Sequence, residues 1–351
     1  MKEALYYSVQ GDKIQCQLCP HNCLIGPERS GICRQRRNIN GLLYALNYGR
    51  AASTNLDPIE KKPLYHFHPA TQIMSFGTVG CNLGCQFCQN WSISHEDAET
   101  EALKPEDAVD IAQKYKSPAI AYTYNEPFIW YEFVLETAML ARAEGIKNVL
   151  VTNGYVNPEP LAEILPYIDA MNIDLKSIRP EFYRKLCQAK LEPVLETLRA
   201  VTRSSSKASY GEVIPEGADR DKAAHKRVHI EVTNLVIPGE NDALEQFEEL
   251  SRWVAENLGQ DTPLHFSAYH PAYHMDNPAT PASTLVKAYE IARKHLWFVY
   301  TGNVVLEKGN DTICHNCQTR LINRRGYLTK ILALTPQGRC SNCGAENNIV
   351  L

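Results

Sequence analysis

The stretch Val79–Trp91 reads VGCNLGCQFCQNW and sets Cys81, Cys85 and Cys88 in the spacing Cys-x3-Cys-x2-Cys. Three thiols fall within eight residues, and no fourth follows nearby. A cubane [4Fe–4S] cluster takes four cysteine thiolates, one per iron. Three thiolates leave one iron with an open position, as a catalytic zinc keeps a place for substrate. Gly80 and Gly84 give the loop the turns it needs to wrap the irons. The other use of three clustered thiols is a zinc knuckle completed by a distant histidine. The loop follows the strand-like run QIMSFGTVG from Gln72, at the head of a strand and helix pattern, which favours the cluster.

That pattern continues outward from the loop. PEDAVDIAQKY from Pro105 and FVLETAMLARAEG from Phe133 read as helices, the first with Pro in its first turn, the second ended by Gly145. Strand-like runs begin at Pro118, Lys147, Asp169, Val228, Pro263 and Trp297, with helical stretches between most of them. Alternating strands and helices imply a mainly parallel α/β sheet. Most of these strands end in polar residues, and barrel enzymes keep their sites at strand C-termini. A barrel or partial barrel is therefore expected over residues 71–305. The polar segment Arg203–Arg227 is too long for an ordinary connection. It reads as a flexible surface insertion, or as a loop that orders on a partner.

At 351 residues the chain can bury a large core in one or two domains. Lys plus Arg total 36 against 40 Asp plus Glu, a net charge of −4 that does not suggest a bulk nucleic-acid binder. No apolar run of about 18 residues exists, so no membrane span is expected. MKEALYYSVQGDKIQC at the start lacks a signal-peptide core. A cytoplasmic protein is expected, and there clustered thiols read as metal ligands. Eleven of the twelve cysteines cluster. Cys314, Cys317, Cys340 and Cys343 form two Cys-x2-Cys knuckles with 22 residues between them, a zinc-ribbon pattern over residues 306–351. Rubredoxin-type iron uses similar knuckles. Cys16, Cys19, Cys23 and Cys33 lie in a Cys-rich extension, residues 1–70, and fit a closed zinc site or a second cluster. His21 lies inside that group and is an alternative ligand. Cys187 stands alone, a small buried hydrophobe or a substrate-facing thiol. Tyr65, His66 and His68 read as packing of the N-terminal module on the barrel, with substrate contact as the alternative.

The three-cysteine spacing resembles that of radical S-adenosylmethionine (SAM) enzymes. Within them the chain is similar to pyruvate formate-lyase activase relatives, and more closely to the radical SAM member of the AmmeMemoRadiSam system. The matching stretches are CQLCPHNCLIGPERSGICRQR, DPIEKKPLYHFHP, GCNLGCQFCQNW, YTYNEP, VTNGY, NIDLKS, FYRKLC, EVTNLVIPG, YHPAY, YTGN and the C-terminal Cys pairs. The long insert from Arg203 departs from that pattern. The resemblance implies a partial (β/α)6-type barrel with small Cys-rich metal modules at both ends. It implies a [4Fe–4S] cluster whose open iron binds SAM, and the Cys-x2-Cys knuckles add structural zinc as a further expected cofactor. It also implies contacts residue by residue. Phe87 lies against the adenine. Glu126 accepts from the SAM ammonium, a charge-assisted bond. Lys176 pairs with the SAM carboxylate and Asp174 with a ribose hydroxyl. Tyr124 and Asn125 stand where relatives carry two glycines. Thr152 and Asn153 end the next strand, and Asn234 and His270 end later ones, on the ribose side. Relatives carry a hydroxyl residue near Cys187, which makes it the candidate catalytic side chain.

The implied activity is reductive cleavage of SAM and hydrogen abstraction from an unidentified substrate. The implied partners are a flavodoxin or ferredoxin as electron donor, and Memo-like and Amme-domain proteins. A glycyl radical enzyme activase and a non-catalytic metal-bound scaffold are the alternatives. Substrate specificity rests with barrel-lining residues that periodicity does not rank.

Overall fold

The computed structural model describes residues 1–204 and 227–351. Most of the expected insertion thus lies outside the described residues. All seven strand-like runs form strands of one sheet. Numbered with the strand that precedes them, these are β1 (Ser53–Pro58), β2 (Gln72–Gly77), β3 (Ala119–Tyr122), β4 (Lys147–Thr152), β5 (Ala170–Asp174), β6 (His229–Val236), β7 (Leu264–Ala268) and β8 (Val299–Gly302). They lie in sequence order across an eight-stranded sheet. From β2 to β8 every neighbour is parallel. β1 joins the β2 edge antiparallel, with Asp57 opposite Ile73. The sheet thus begins inside the segment assigned above to the N-terminal extension.

Residues 119–122, AIAY, are buried throughout, as are the five residues of β7. Strands covered on both faces read as near-continuous apolar runs. Helices Pro105–Lys114, Tyr131–Ala143, Pro158–Ile164, Glu192–Ser204, Leu244–Leu258 and Ala282–Ala292 supply the crossovers. With little periodicity, the first 40 or so residues read from sequence as a metal-stapled knuckle. They form two three-stranded antiparallel sheets of strands no longer than four residues. Segments that short carry no legible period. The C-terminal module is a further three-stranded sheet, Thr312–Ile313, Arg320–Arg325 and Leu328–Ile331.

Alternation along β6 shows how the barrel interior is divided. Glu231, Thr233 and Leu235 share one face. Thr233 and Leu235 line an open cavity, whereas Glu231 lies deeper, in a polar plug. Its carboxylate accepts from His66 N at 2.7 Å, His229 Nε2 at 3.0 Å and His265 Nε2 at 2.7 Å. Burial would raise its pKa, but the bonds from the two imidazoles outweigh burial and hold it far below the usual range. His66 also meets Tyr300 Oη at 2.6 Å and the Asn347 carbonyl at 3.0 Å. Arg324 donates to Tyr65 O at 2.6 Å and Thr312 Oγ1 at 2.8 Å. Tyr65 and His66 are therefore packing residues, joined to the C-terminal module rather than to the N-terminal one. Among the described residues, no helix is long and apolar enough to cross a membrane.

Candidate active site

Above the plug, the C-terminal ends of the strands surround a cavity of about 390 Å³. Its wall includes Cys81, Cys85, Cys88, Phe87, Tyr124, Asn125, Glu126, Thr152, Asn153, Asp174 and Lys176. Nearly every residue singled out from the motifs is thus brought together. The three cysteines sit on the loop after β2. Gly80 takes φ +89°, and a Cβ there would stand 2.7 Å from the Cys33 carbonyl. At Gly84 a Cβ would stand 2.7 Å from the Gln188 side chain. Asn125 clamps the loop, accepting from Thr78 N at 3.2 Å and donating to Gly80 O at 2.8 Å. Burial first, then the Glu126 carboxylate and the neighbouring thiols, pushes the Cys81 thiol well up. Leu83 N at 3.4 Å and Asn153 Nδ2 at 3.7 Å face Cys81 Sγ. Three convergent thiols with N–H donors aimed at sulfur suit an iron–sulfur cluster, whose potential such bonds tune.

Glu126 ends the turn after β3. Its carboxylate accepts from Phe128 N (2.9 Å), Thr152 Oγ1 (2.7 Å) and Asn153 N (2.8 Å). Those bonds lower its pKa, but burial dominates and lifts it to about 7. Asp174 and Lys176 pair at 2.9 Å. Burial would weaken the ammonium, yet Asp174 and the thiols beside it hold Lys176 well above its ordinary pKa. Its Nζ lies 5.9 Å from the centre of the Phe87 ring. The cavity therefore presents a cation, two carboxylates and an aromatic face around three thiols. That set suits a zwitterionic ligand carrying a planar base.

Tyr124 takes φ +75°. The left-handed backbone expected of glycine is thus kept by a tyrosine, whose hydroxyl donates to Asp57. Three expected residues lie elsewhere. Asn234 is buried, but its amide donates to the Leu175 and Lys176 carbonyls at 2.8 and 3.1 Å, bracing the Asp174–Lys176 loop from outside the cavity. His270 lies beyond the end of β7, exposed, and is not among the lining residues. Cys187 is fully buried behind the loop. Its carbonyl accepts from Gly84 N at 2.9 Å, and its thiol hydrogen-bonds Cys85. It does not face the cavity, so its place is that of a packing residue.

Motif reading missed several wall residues. Lys61, Lys62 and Pro63 line the cavity. Burial lowers Lys62 to about 8 despite its 2.6 Å pair with Asp57. Ser267, Asn303 and, from the C-terminal hairpin, Tyr327 close the far side. The run DPIEKKP held the only signal for the lysines.

The C-terminal quartet is compact. Cys314 and Cys343 sulfurs are 3.7 Å apart, Cys317 and Cys340 3.6 Å. A tetrahedral zinc with Zn–S of about 2.3 Å separates its sulfurs by roughly 3.8 Å. The quartet suits one such ion.

The family model of the radical SAM superfamily matches residues 76–254. An uncharacterized protein of Methanocaldococcus jannaschii is 42% identical, with 100% of both chains covered. The pyruvate formate-lyase-activating enzyme of Listeria monocytogenes is 29% identical over 33% of this chain and 52% of its own length, so the chain spans about half of that relative. The pyruvate formate-lyase 1-activating enzyme of Escherichia coli is 26% identical over 53% of this chain and 78% of its own. Among solved structures, SuiB of Streptococcus suis bound to S-adenosylmethionine aligns with TM-score 0.48 and 14% identity, over 64% of this chain and 49% of that one.

Proposed function

Since the chain belongs to the radical SAM superfamily, we propose that its cavity binds SAM across Glu126, Asp174 and Lys176 and directs the radical to a substrate held toward Lys62 and Tyr327. The observation that carries this reading is the convergence of Cys81, Cys85, Cys88, Glu126 and Lys176 on one cavity wall. In this reading the three thiolates hold a [4Fe–4S] cluster. When bound, that cluster supplies the electron that cleaves the SAM sulfonium to methionine and a 5′-deoxyadenosyl radical, which abstracts hydrogen. Glu126 receives the SAM ammonium, Lys176 the carboxylate and Asp174 a ribose hydroxyl, with Phe87 against the adenine. Thr152 and Asn153 hold the Glu126 carboxylate in place. Asn125 and Asn234 fix the two loops that carry these groups.

An electron donor of the flavodoxin or ferredoxin type supplies the reducing equivalent. The resemblance to the AmmeMemoRadiSam system supports Memo-like and Amme-domain proteins as partners in modifying an unidentified substrate. The C-terminal quartet is read as structural zinc. A second reading, activation of a glycyl radical enzyme, is supported by the names of the Listeria and Escherichia relatives. One experiment separates the two. Cluster-loaded protein is incubated with reductant, SAM and either the Memo-like and Amme-domain proteins or a glycyl radical enzyme, and 5′-deoxyadenosine is quantified. Stimulation by the first set supports the first reading. A glycyl radical signal in the second mixture supports the other.

A further inference from the structure

We propose that Cys16, Cys19, Cys23 and Cys33 hold a second [4Fe–4S] cluster, against the loop of the first, and not a zinc ion. The chain carries its own standard for a single-ion site. Among the described residues, Cys314, Cys317, Cys340 and Cys343 are the set whose ligand atoms all lie within 4.8 Å of one another. Neither the N-terminal four nor Cys81, Cys85 and Cys88 form such a group. One ion holds four sulfurs at roughly 3.8 Å. A cubane puts each thiolate on a different iron, so its sulfurs stand apart by roughly 6 Å. In lacking the close-set ligand atoms of a single-ion site, the N-terminal quartet goes with the cluster loop and not with the ribbon.

The surroundings point to the same ligand. The four cysteines line one small cavity with Leu18, Ile25, Ile32 and Ile129, a mainly apolar shell. Arg36 also lines it and is 1% exposed. Its terminal nitrogens are used, one on Leu5 O and one on Glu132, both at 2.7 Å. Its Nε is buried with no partner. A buried N–H left unpaired is costly, and a cluster sulfide or thiolate would accept from it. The guanidinium also lies in electrostatic reach of Cys16 and Cys33.

The site adjoins the active-site loop directly. Gly80 packs on the Cys33 carbonyl. His21, on the cavity wall, meets Asn82 O at 2.7 Å through Nε2, and Asn82 accepts from Asn153, which faces Cys81. Asn82 is thus shared by both cysteine groups. This bond engages His21 Nε2, and the four thiols complete a ligand set without the imidazole.

The test uses full-length protein reconstituted anaerobically with iron and sulfide and does not depend on SAM cleavage. Wild type is expected to hold about eight irons and one zinc per chain. The triple variant Cys81→Ser/Cys85→Ser/Cys88→Ser is expected to keep about four irons. After dithionite reduction it should show a [4Fe–4S] electron paramagnetic resonance signal that SAM leaves unchanged. Cys16→Ser/Cys19→Ser should lose that signal and retain a SAM-sensitive one. A triple variant with two zincs and no iron overturns the proposal, as does one with only about two irons. Failure of the SAM reading would show separately, as a wild type with no SAM-sensitive signal.

Discussion

Replacing Glu126 with glutamine should leave a signature in both stability and ligand binding. The carboxyl is buried, and burial raises it from 4.5 to about 7 against three opposing hydrogen bonds. The folded chain then holds this proton more tightly than the unfolded chain. Its stabilising contribution is fully present below pH 4.5 and is lost as pH rises through about 7. Those two values give a loss of about 1.3 kcal/mol between pH 6 and pH 8. Glutamine has the same size and no titration. Urea unfolding of Glu126→Gln and wild type at both pH values should therefore show a steeper fall for wild type, by about that amount. Binding moves in the other sense. A hydrogen bond to a charged group contributes about 1.5–3 kcal/mol, so SAM affinity of the cluster-loaded variant should fall roughly tenfold to a hundredfold. Anaerobic calorimetry at one fixed pH measures it. Equal pH slopes together with equal affinities would refute the assignment of Glu126 as the buried carboxylate facing SAM.

Lys176→Met should weaken SAM binding at least about tenfold, since Asp174 loses its 2.9 Å partner and the ligand carboxylate its cation; equilibrium binding checks it. Arg324→Leu should cost about 3–5 kcal/mol in urea unfolding, because it leaves the buried Glu60 carboxylate, 3.9 Å away, without its cation and cuts the bonds to Tyr65 and Thr312 across the plug. With the C-terminal quartet read as a zinc site, chelation should expose the Arg320–Ile331 hairpin to limited proteolysis, since four thiolates without an ion cannot hold so small a module. Mass spectrometry of the fragments reads the cut sites.

The seven parallel strands were legible because burial on both faces leaves short, mainly apolar runs set between helical stretches, and the cysteine groups because spacing is local. β1 was not legible. Its sequence, STNLDP, is polar, and it forms because the edge of β2 offers it a partner. Asn234 shows the limit of reading strand ends. Thr233 and Leu235 line the cavity, so alternation turns the residue between them away from it. A motif fixes which residue ends the strand, not which face it takes. Tyr327 reaches the cavity from a hairpin more than 140 residues beyond Lys176 in sequence, a contact no local pattern encodes. The close approach of the C-terminal sulfurs was likewise hidden, since a Cys spacing along the chain does not fix distances in space.

The central claim is that Cys81, Cys85 and Cys88 hold the cluster that cleaves SAM in this cavity. Its most direct test is 5′-deoxyadenosine formed from SAM by anaerobically reconstituted, dithionite-reduced protein, beside the Cys81→Ala variant. The account predicts nucleoside from wild type, with substrate or partners raising the yield, and none above background from the variant. Equal yields from the two proteins, or none from iron-loaded wild type with the partners present, would contradict it.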